Sequence, residues 1–508
     1  MKINAIQKHG LMLNKKDLNS NDFNSITNDL SVYDDESNLL ATFYYVDQNY
    51  LYIPKLGYNM KNFAGDFILN KCNIIKDDSI KYYENNKNLF NDIHMKINPR
   101  NELQEKACHF LQNSEIDDKS LFLSPGSGKT AMSIMYFVNK KLKPLIITPD
   151  KNLMNQWKDS ILEFTNITED QIFCVEDGSN SFSKKHFSND KLVYICCIKT
   201  LLSIINKTDI NELQNLKSFI EECNIDTKII DECHLNLNAI FKVTLWYPTK
   251  ENLYLSATMN RRLLQENFIH PGIVEPDAVI ESVEYDVKPK LLALLYNSFP
   301  TTGNIRFIQD MAMRGAIDFG RYFNNYLLSS KNADKLKVYL DMIENICFKY
   351  IREFKDGYEH KIIIVAPSVK ILEVIYEKLR YNYRVHRMFS KFKEKPNDDN
   401  FDIILGTQQQ VTAGFDVKSL DVMISISLFT SQHNIKQLLG RILRSYPGKQ
   451  HGQFISLIDE GFSAYMKYMK KMIGICENEI SEEHDLQFTI NRSKFIFPKK
   501  KSWIHKKQ

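Results

Sequence analysis

Three short runs of this 508-residue chain carry side chains suited to chemistry on a phosphoanhydride. The first is LSPGSGKT, from Leu123 to Thr130. In the loop Ser124, Pro125, Gly126, Ser127 and Gly128, two glycines let the backbone wrap an anion with several N–H groups turned inward, and the helix-like AMSIMYFVNKK that follows would present its positive end. Lys129 would reach the β and γ phosphates of ATP, and the Thr130 hydroxyl would ligate Mg2+. Leu123 stands where the general phosphate-loop pattern has its first glycine. The second run, KIIDECH, places Asp231 and Glu232 at the end of an apolar strand, at the edge where a parallel sheet opens to ligands. Asp231 is read as a metal ligand and Glu232 as the base that orients and deprotonates water. An isolated Asp-Glu pair is usually a solvated turn, but this one follows a phosphate loop. The third run, QLLGRILR, sets Arg441 and Arg444 three apart, on one face of a helix, as cations for the transferring phosphoryl group.

These residues need rigid elements behind them. Between 93 and 283 the runs LFL at 121, LIIT at 145, LVYICC at 192, KII at 228 and LYLS at 253 alternate with helical patterns. Short runs apolar on both faces are what buried parallel strands look like. A second series follows, KIIIVA at 361, FDIIL at 401 and VMISISL at 422. The expected fold class is α/β, with two tandem parallel-sheet lobes at 93–283 and 331–483 joined by a less regular connecting segment at 284–330. A helix is expected over Ala333 to Phe354. Residues 1–92 read as an N-terminal accessory module with a strand pair inside Leu39–Tyr58, turning at D-Q-N. Residues 484–508 read as a basic C-terminal tail, its lysines at 499, 500, 501, 506 and 507 being either a solvated end or phosphate contacts.

Bulk properties exclude more than they select. With 43% hydrophobic and 25% charged residues the chain is globular, and a net charge of +4 points only weakly to a polyanionic partner. The nine cysteines are scattered, with Cys196 and Cys197 adjacent, so neither a disulfide framework nor a C-x-x-C zinc pattern is present and a reducing compartment is expected. The N-terminal residues lack an apolar signal core and no run approaches the ~18 apolar residues of a membrane span. A soluble intracellular protein without a membrane partner is expected. The abundance of Lys, Asn, Ile and Tyr is what an AT-rich genome would produce.

Taken together, the motifs resemble those of superfamily 2 helicases. DECH is similar to the DEAx/H box, and LSATMNR to the third motif through Ser256, Ala257 and Thr258. LIITPDKNLMNQWKD resembles the motif after the phosphate loop, with Thr148 and Pro149 behind a strand and a Gln156-Trp157 pair similar to the XPB-type branch. Trp157 is read either as a core aromatic that packs its helix or as a strand contact. Lys199 and Thr200, Ser368 in IIIVAPSVK, ILGTQQQVTAGFD and the Q-x-x-G-R-x-x-R run complete eight signatures in the family's order across residues 99–444.

The resemblance implies two RecA-like lobes that close on ATP. It gives Gln104 the reading of adenine, with Arg100 left without a role, and places Gly414 and Asp416 near the nucleotide. It makes Thr148, Pro149, Thr200, Ser368 and Thr407 nucleic-acid contacts, and His234, Ser256, Thr258 and Gln437 the coupling set.

LYIPKLGY, GAIDFGRYFNNYL and SLDVMISISLFTSQHNIKQLLGRILR further resemble helicases of large DNA viruses and phages, nearest to the poxvirus transcript-release type, whose box is DESH where this chain has DECH. That branch implies DNA favoured over RNA, 3′ to 5′ unwinding, RNA polymerase or other transcription factors as partners, and the host cytoplasm and virion as location. DNA repair or recombination is an alternative setting. A double-stranded DNA translocase, an RNA helicase and a nucleic-acid scaffold with a dead ATPase core are the competing readings. Dead cores usually lose the lysine, carboxylates or arginines that stand here at 129, 231, 232, 441 and 444.

Overall fold

In the computed structural model the apolar runs become two seven-stranded sheets, each parallel throughout. The structure describes residues 2–498 except 35–36, 124–125, 176–189, 208–218, 257–263, 276–278, 283–286, 299–319, 321, 354–357, 390–395, 397–399, 413–416, 427–431, 445, 463–464, 467–468, 471–472 and 475–486. The chain divides into two compact units, one of residues 1–123 and 127–283 and one of residues 124–126 and 284–508.

The first sheet runs, in spatial order, Ile172–Val175, Val193–Cys197, Pro144–Thr148, Thr227–Ile230, Glu251–Ser256, Asp118–Leu123, Val279–Ser282. The second runs Val385–Arg387, Ile403–Thr407, Lys361–Ala366, Leu420–Ser425, His451–Asp459, Lys288–Tyr296, Gln487–Arg492. Numbered by their order along the chain, the strands of both sheets follow one sequence, 3-4-2-5-6-1-7. The chain therefore builds the same topology twice, giving the two tandem parallel-sheet lobes that the apolar runs lead one to expect and the RecA-like pair that the family resemblance implies.

Why the runs lack polar alternation is visible in the cores. In the first sheet Leu121, Leu123, Ile146, Ile195, Ile229 and Leu253 face one cluster, with the helices Glu102–Asn113, Lys129–Lys140 and Lys151–Phe164. Their neighbours Phe122, Leu145, Ile147, Tyr194, Ile230 and Tyr254 face another. Both faces are covered, so every residue must be apolar or internally satisfied.

The second cluster also holds Ala5, Leu11, Leu13, Phe43, Leu51 and Ile53. Residues 1–76 form a five-stranded sheet ordered Tyr45–Val46, Tyr50–Ile53, Leu11–Asn14, Ile3–Gln7, Cys72–Lys76. The expected strand pair is there: the Asp47 carboxylate accepts from the N–H groups of Asn49 and Tyr50 at the turn, at 2.8 and 2.7 Å. This sheet is fastened to the first lobe by a largely buried Lys55–Asp118 ion pair at 2.6 Å and by Leu56 N–H donating to the Gly272 carbonyl at 2.9 Å.

Two expectations change. The segment read as an irregular connection supplies the nine-residue strand Lys288–Tyr296, lying between His451–Asp459 and Gln487–Arg492. Residues 487–492, read as tail, form the edge strand beside it, while the lysines from 499 onward lie outside the described residues. The α-helix Ala333–Phe348 continues directly as the π-helix Lys349–Glu353, so the helical stretch expected from Ala333 is present along nearly its whole length. No helix among the described residues is long and apolar enough to cross a membrane.

Candidate nucleotide site

Parallel strands end at one edge, and in the first sheet that edge gathers the sequence motifs. The strand Asp118–Leu123 delivers the phosphate loop, Pro144–Thr148 the Thr-Pro turn, Thr227–Ile230 the acid pair and Glu251–Ser256 the start of the third motif. Through the strand order Ser256 pairs with Phe122 at this edge, although the two are far apart in sequence.

The loop has the backbone that cradling a phosphate needs. Gly126 and Gly128 take φ of +84° and +92°, values L side chains avoid, and a Cβ at Gly128 would sit 2.6 Å from the Gln104 amide nitrogen. Gly128 caps the helix Lys129–Lys140, so its first N–H groups are turned to the loop. The Lys129 ammonium donates to the Leu123 carbonyl at 2.6 Å, closing the loop across its own width. Thr130 is half-buried in the first turn of that helix. Ser124 and Pro125 lie outside the described residues.

Gln104 is 2% exposed and works as a clasp. Its amide N–H donates to the Ser127 carbonyl at 2.8 Å, and its carbonyl accepts from the Arg100 backbone N–H at 2.9 Å. This ties the segment before the lobe's first strand to the phosphate loop and gives Arg100 a place that its four-residue offset from Gln104 left open.

At the end of the fifth strand Asp231 is held by two donors. Oδ1 accepts from the Glu232 N–H at 2.9 Å and Oδ2 from the Trp157 indole N–H at 2.8 Å. Desolvation and the adjacent Glu232 carboxylate push the Asp231 carboxyl above the usual range, while the indole and the nearby Lys129 ammonium favour its charged form. A carboxylate so crowded is a natural ligand for a small hard cation. Glu232 has φ +49°, a left-handed conformation that a non-glycine residue adopts at a cost and that clusters at functional positions. It brings Glu232 Oε2 to 3.2 Å from His234 Nδ1.

His234 is 6% exposed, and its Nδ1 lies 2.8 Å from Ser256 Oγ, joining the acid box to the third motif. Thr258 lies outside the described residues. Through this contact a change at Glu232 can reach the segment that follows Ser256. Ser256→Ala should leave basal ATP turnover near wild type and weaken its coupling to strand separation by ~0.5–2 kcal/mol, about two- to thirtyfold. The check is the ratio of strand-displacement rate to phosphate-release rate; an unchanged ratio removes Ser256 from the coupling set.

The duplicated topology organises the expected nucleic-acid contacts. Thr148 ends and Ser368 follows strand two of their sheets, and Thr200 follows and Thr407 ends strand four. Thr148 is fully buried, its hydroxyl donating to the Asp150 carbonyl at 3.0 Å, so a contact at this turn falls to Pro149, which is half-buried, or to the main chain. Asp150 in turn caps the helix Lys151–Phe164 through the N–H groups of Asn152 and Leu153. Thr200 is half-buried near the start of the helix Ile198–Lys207. In the second unit the Ser368 hydroxyl lies 3.3 Å from Asn324 Oδ1, and the Thr407 hydroxyl donates to Gln410 Oε1 at 2.8 Å.

The helix Gln432–Ile442 carries Gln437 and Arg441, but it ends two residues before Arg444. Both arginines were expected on one helix face; instead Arg444 lies in a bend, ahead of Pro447 and of Gly448 at φ +82°. The Gln437 side chain, Gly414 and Asp416 lie outside the described residues.

Trp157 is the side chain whose reading the sequence left open. It is 1% exposed, which favours the core reading, yet its N–H is spent on Asp231. A buried indole requires an acceptor, and that requirement was the available signal.

Residues 75–261 match the family described as Type III restriction enzyme, res subunit. The chain is 24% identical over 378 residues to transcript termination protein A18 of Yaba-like disease virus, covering 71% of each. It is 23% identical over 336 residues to the XPB helicase/translocase subunit of the general transcription and DNA repair factor IIH of Encephalitozoon cuniculi, covering 64% of this chain and 46% of that one. Among solved structures, S. cerevisiae Dbp5 bound to RNA and ADP BeF3 aligns with a TM-score of 0.48 and 14% identity, over 77% of this chain and 89% of that one. The resemblance read from the motifs is borne out by the family and sequence matches.

Proposed function

We infer that this chain, an ATP-hydrolysing enzyme of helicase superfamily 2, is a DNA motor that separates strands with 3′ to 5′ polarity and serves viral transcription by releasing transcripts. The observation that carries the motor reading is the shared sheet edge, where Lys129, Asp231 and Glu232 meet and His234 reaches Ser256. The transcription role is supported by the name of the poxvirus relatives, transcript termination protein.

In this reading the loop 124–130 binds the triphosphate of ATP and Gln104 lies where adenine recognition begins. Thr130 and Asp231 are the residues that fit Mg2+, which when bound offsets the charge of the β and γ phosphates. Glu232 orients the attacking water and takes its proton. Arg441 and Arg444 supply cations to the transferring phosphoryl group. Alanine at either should slow turnover by at least about tenfold, with ATP capture less affected, because such cations act mainly on the transition state. Nucleotide titration beside single-turnover hydrolysis separates the two; a smaller rate loss at both positions rejects the role. RNA polymerase or an associated factor is the proposed protein partner.

Strand displacement with ATP on duplexes bearing a 3′ or a 5′ single-stranded tail tests the reading. Displacement of the 3′-tailed DNA is expected. ATP turnover on DNA without displacement of either substrate would leave a double-stranded DNA translocase, a reading that the restriction-enzyme family model also accommodates.

A further inference from the structure

We propose that Trp157 is the positioning residue for the metal-binding carboxylate, fixing Asp231 through a hydrogen bond that neither the acid box nor the phosphate loop supplies. The proposal rests on the ATPase reading above and adds to it a requirement for one particular indole N–H.

The geometry is specific. The two oxygens of Asp231 are each held by a donor from a different element, Oδ1 by the backbone N–H of Glu232 at 2.9 Å and Oδ2 by Trp157 Nε1 at 2.8 Å. One donor alone leaves the carboxylate free to rotate about its terminal torsion, which is a broad two-fold well. Two donors on opposite oxygens fix its plane and leave each oxygen a lone pair for a cation. The indole is itself immobile. It is 1% exposed on the helix Lys151–Phe164, in the buried row Met154, Trp157, Ile161, and that helix is pinned at its start by the Asp150 cap. A donor that orients a metal ligand in this way is worth about ten- to a hundredfold in metal affinity or activity. Phenylalanine keeps the aromatic packing and lacks the N–H. A histidine or tyrosine at this position would place its polar atom elsewhere on a ring of different size.

Two measurements on the full chain test this. In Trp157→Phe, the Mg2+ concentration that half-saturates ATP turnover should rise about ten- to a hundredfold, while DNA binding without nucleotide and the cooperativity of thermal unfolding stay as in wild type. Should Trp157→Phe not fold, replacing Trp157 by the benzothiophene analogue of tryptophan, which keeps the shape and exchanges the N–H for sulfur, gives the same comparison. The second measurement does not depend on turnover. In a Trp246→Phe, Trp503→Phe protein, where Trp157 is the one remaining tryptophan, adding Mg2+ in the presence of ADP should change the indole emission with the midpoint found for turnover. A folded variant without the N–H whose Mg2+ midpoint stays within twofold of wild type would overturn the proposal and leave the ATPase reading standing. A wild-type chain that binds ADP with no dependence on Mg2+ would overturn both.

Discussion

Lys129→Ala should bring ATP turnover to background, a fall on the order of a hundred- to a thousandfold, the loss typical when one preorganised charge-stabilising donor is removed. Two consequences of the structure lie behind this. The ammonium is held 2.6 Å from the Leu123 carbonyl across the phosphate loop, so it is already on the inner side of the loop before any nucleotide arrives, and binding exchanges that carbonyl for phosphate oxygens. Lys129 also favours the charged form of Asp231, which burial and Glu232 oppose. Alanine removes both effects and leaves the Asp231 carboxylate without the Lys129 charge that favours its ionised form. The sheet edge that carries the turn after Thr148 is untouched, so DNA binding without nucleotide should persist. Phosphate release and a binding titration on the same preparation provide the check, and wild-type turnover in Lys129→Ala would mean that the loop is not the phosphate site.

Glu232→Gln should bind ATP with near wild-type affinity and hydrolyse it about 10²–10⁴-fold more slowly. The amide keeps the length of the side chain and can still accept from His234 Nδ1, which lies 3.2 Å from Oε2, but it is a far weaker base. It also removes the like charge beside Asp231, so the apo protein should lose no stability on this account. A variant that binds and cannot turn over should hold DNA tightly in ATP. Rapid-quench hydrolysis with a DNA off-rate in ATP measures both effects; near-normal hydrolysis would move the base elsewhere.

The strands that the sequence revealed are those buried on both faces. KIIIVA and LIIT have no polar register to hide, and Ile362, Ile363, Ile364, Ile146 and Ile147 are all at or below 1% exposure. Lys288–Tyr296 was missed because it opens with Lys-Pro-Lys and lies amid irregular sequence. Gln487–Arg492 was missed because it is an edge strand, exposed at all but Phe488, and so carries polar side chains, here Gln487, Thr489, Asn491 and Arg492. At the site, chemistry-bearing residues were legible wherever they sit close together in sequence, as in Gly128-Lys129-Thr130 and Asp231-Glu232. Contacts that depend on strand order were not. Trp157 and Asp231 are 74 residues apart, and only the pairing of Pro144–Thr148 with Thr227–Ile230 makes them neighbours. Gln104 was placed by resemblance, but its bond to the Ser127 carbonyl required the helix Glu102–Asn113 to be packed against Lys129–Lys140.

The most direct measurement of the central claim is Mg2+-dependent phosphate release by the wild-type chain with no nucleic acid and with single-stranded DNA, single-stranded RNA and duplex DNA of one sequence. A nucleic-acid-driven motor predicts low basal release that rises on adding nucleic acid, more with DNA than with RNA. Release that is absent under all four conditions, or present and indifferent to every nucleic acid, would contradict it.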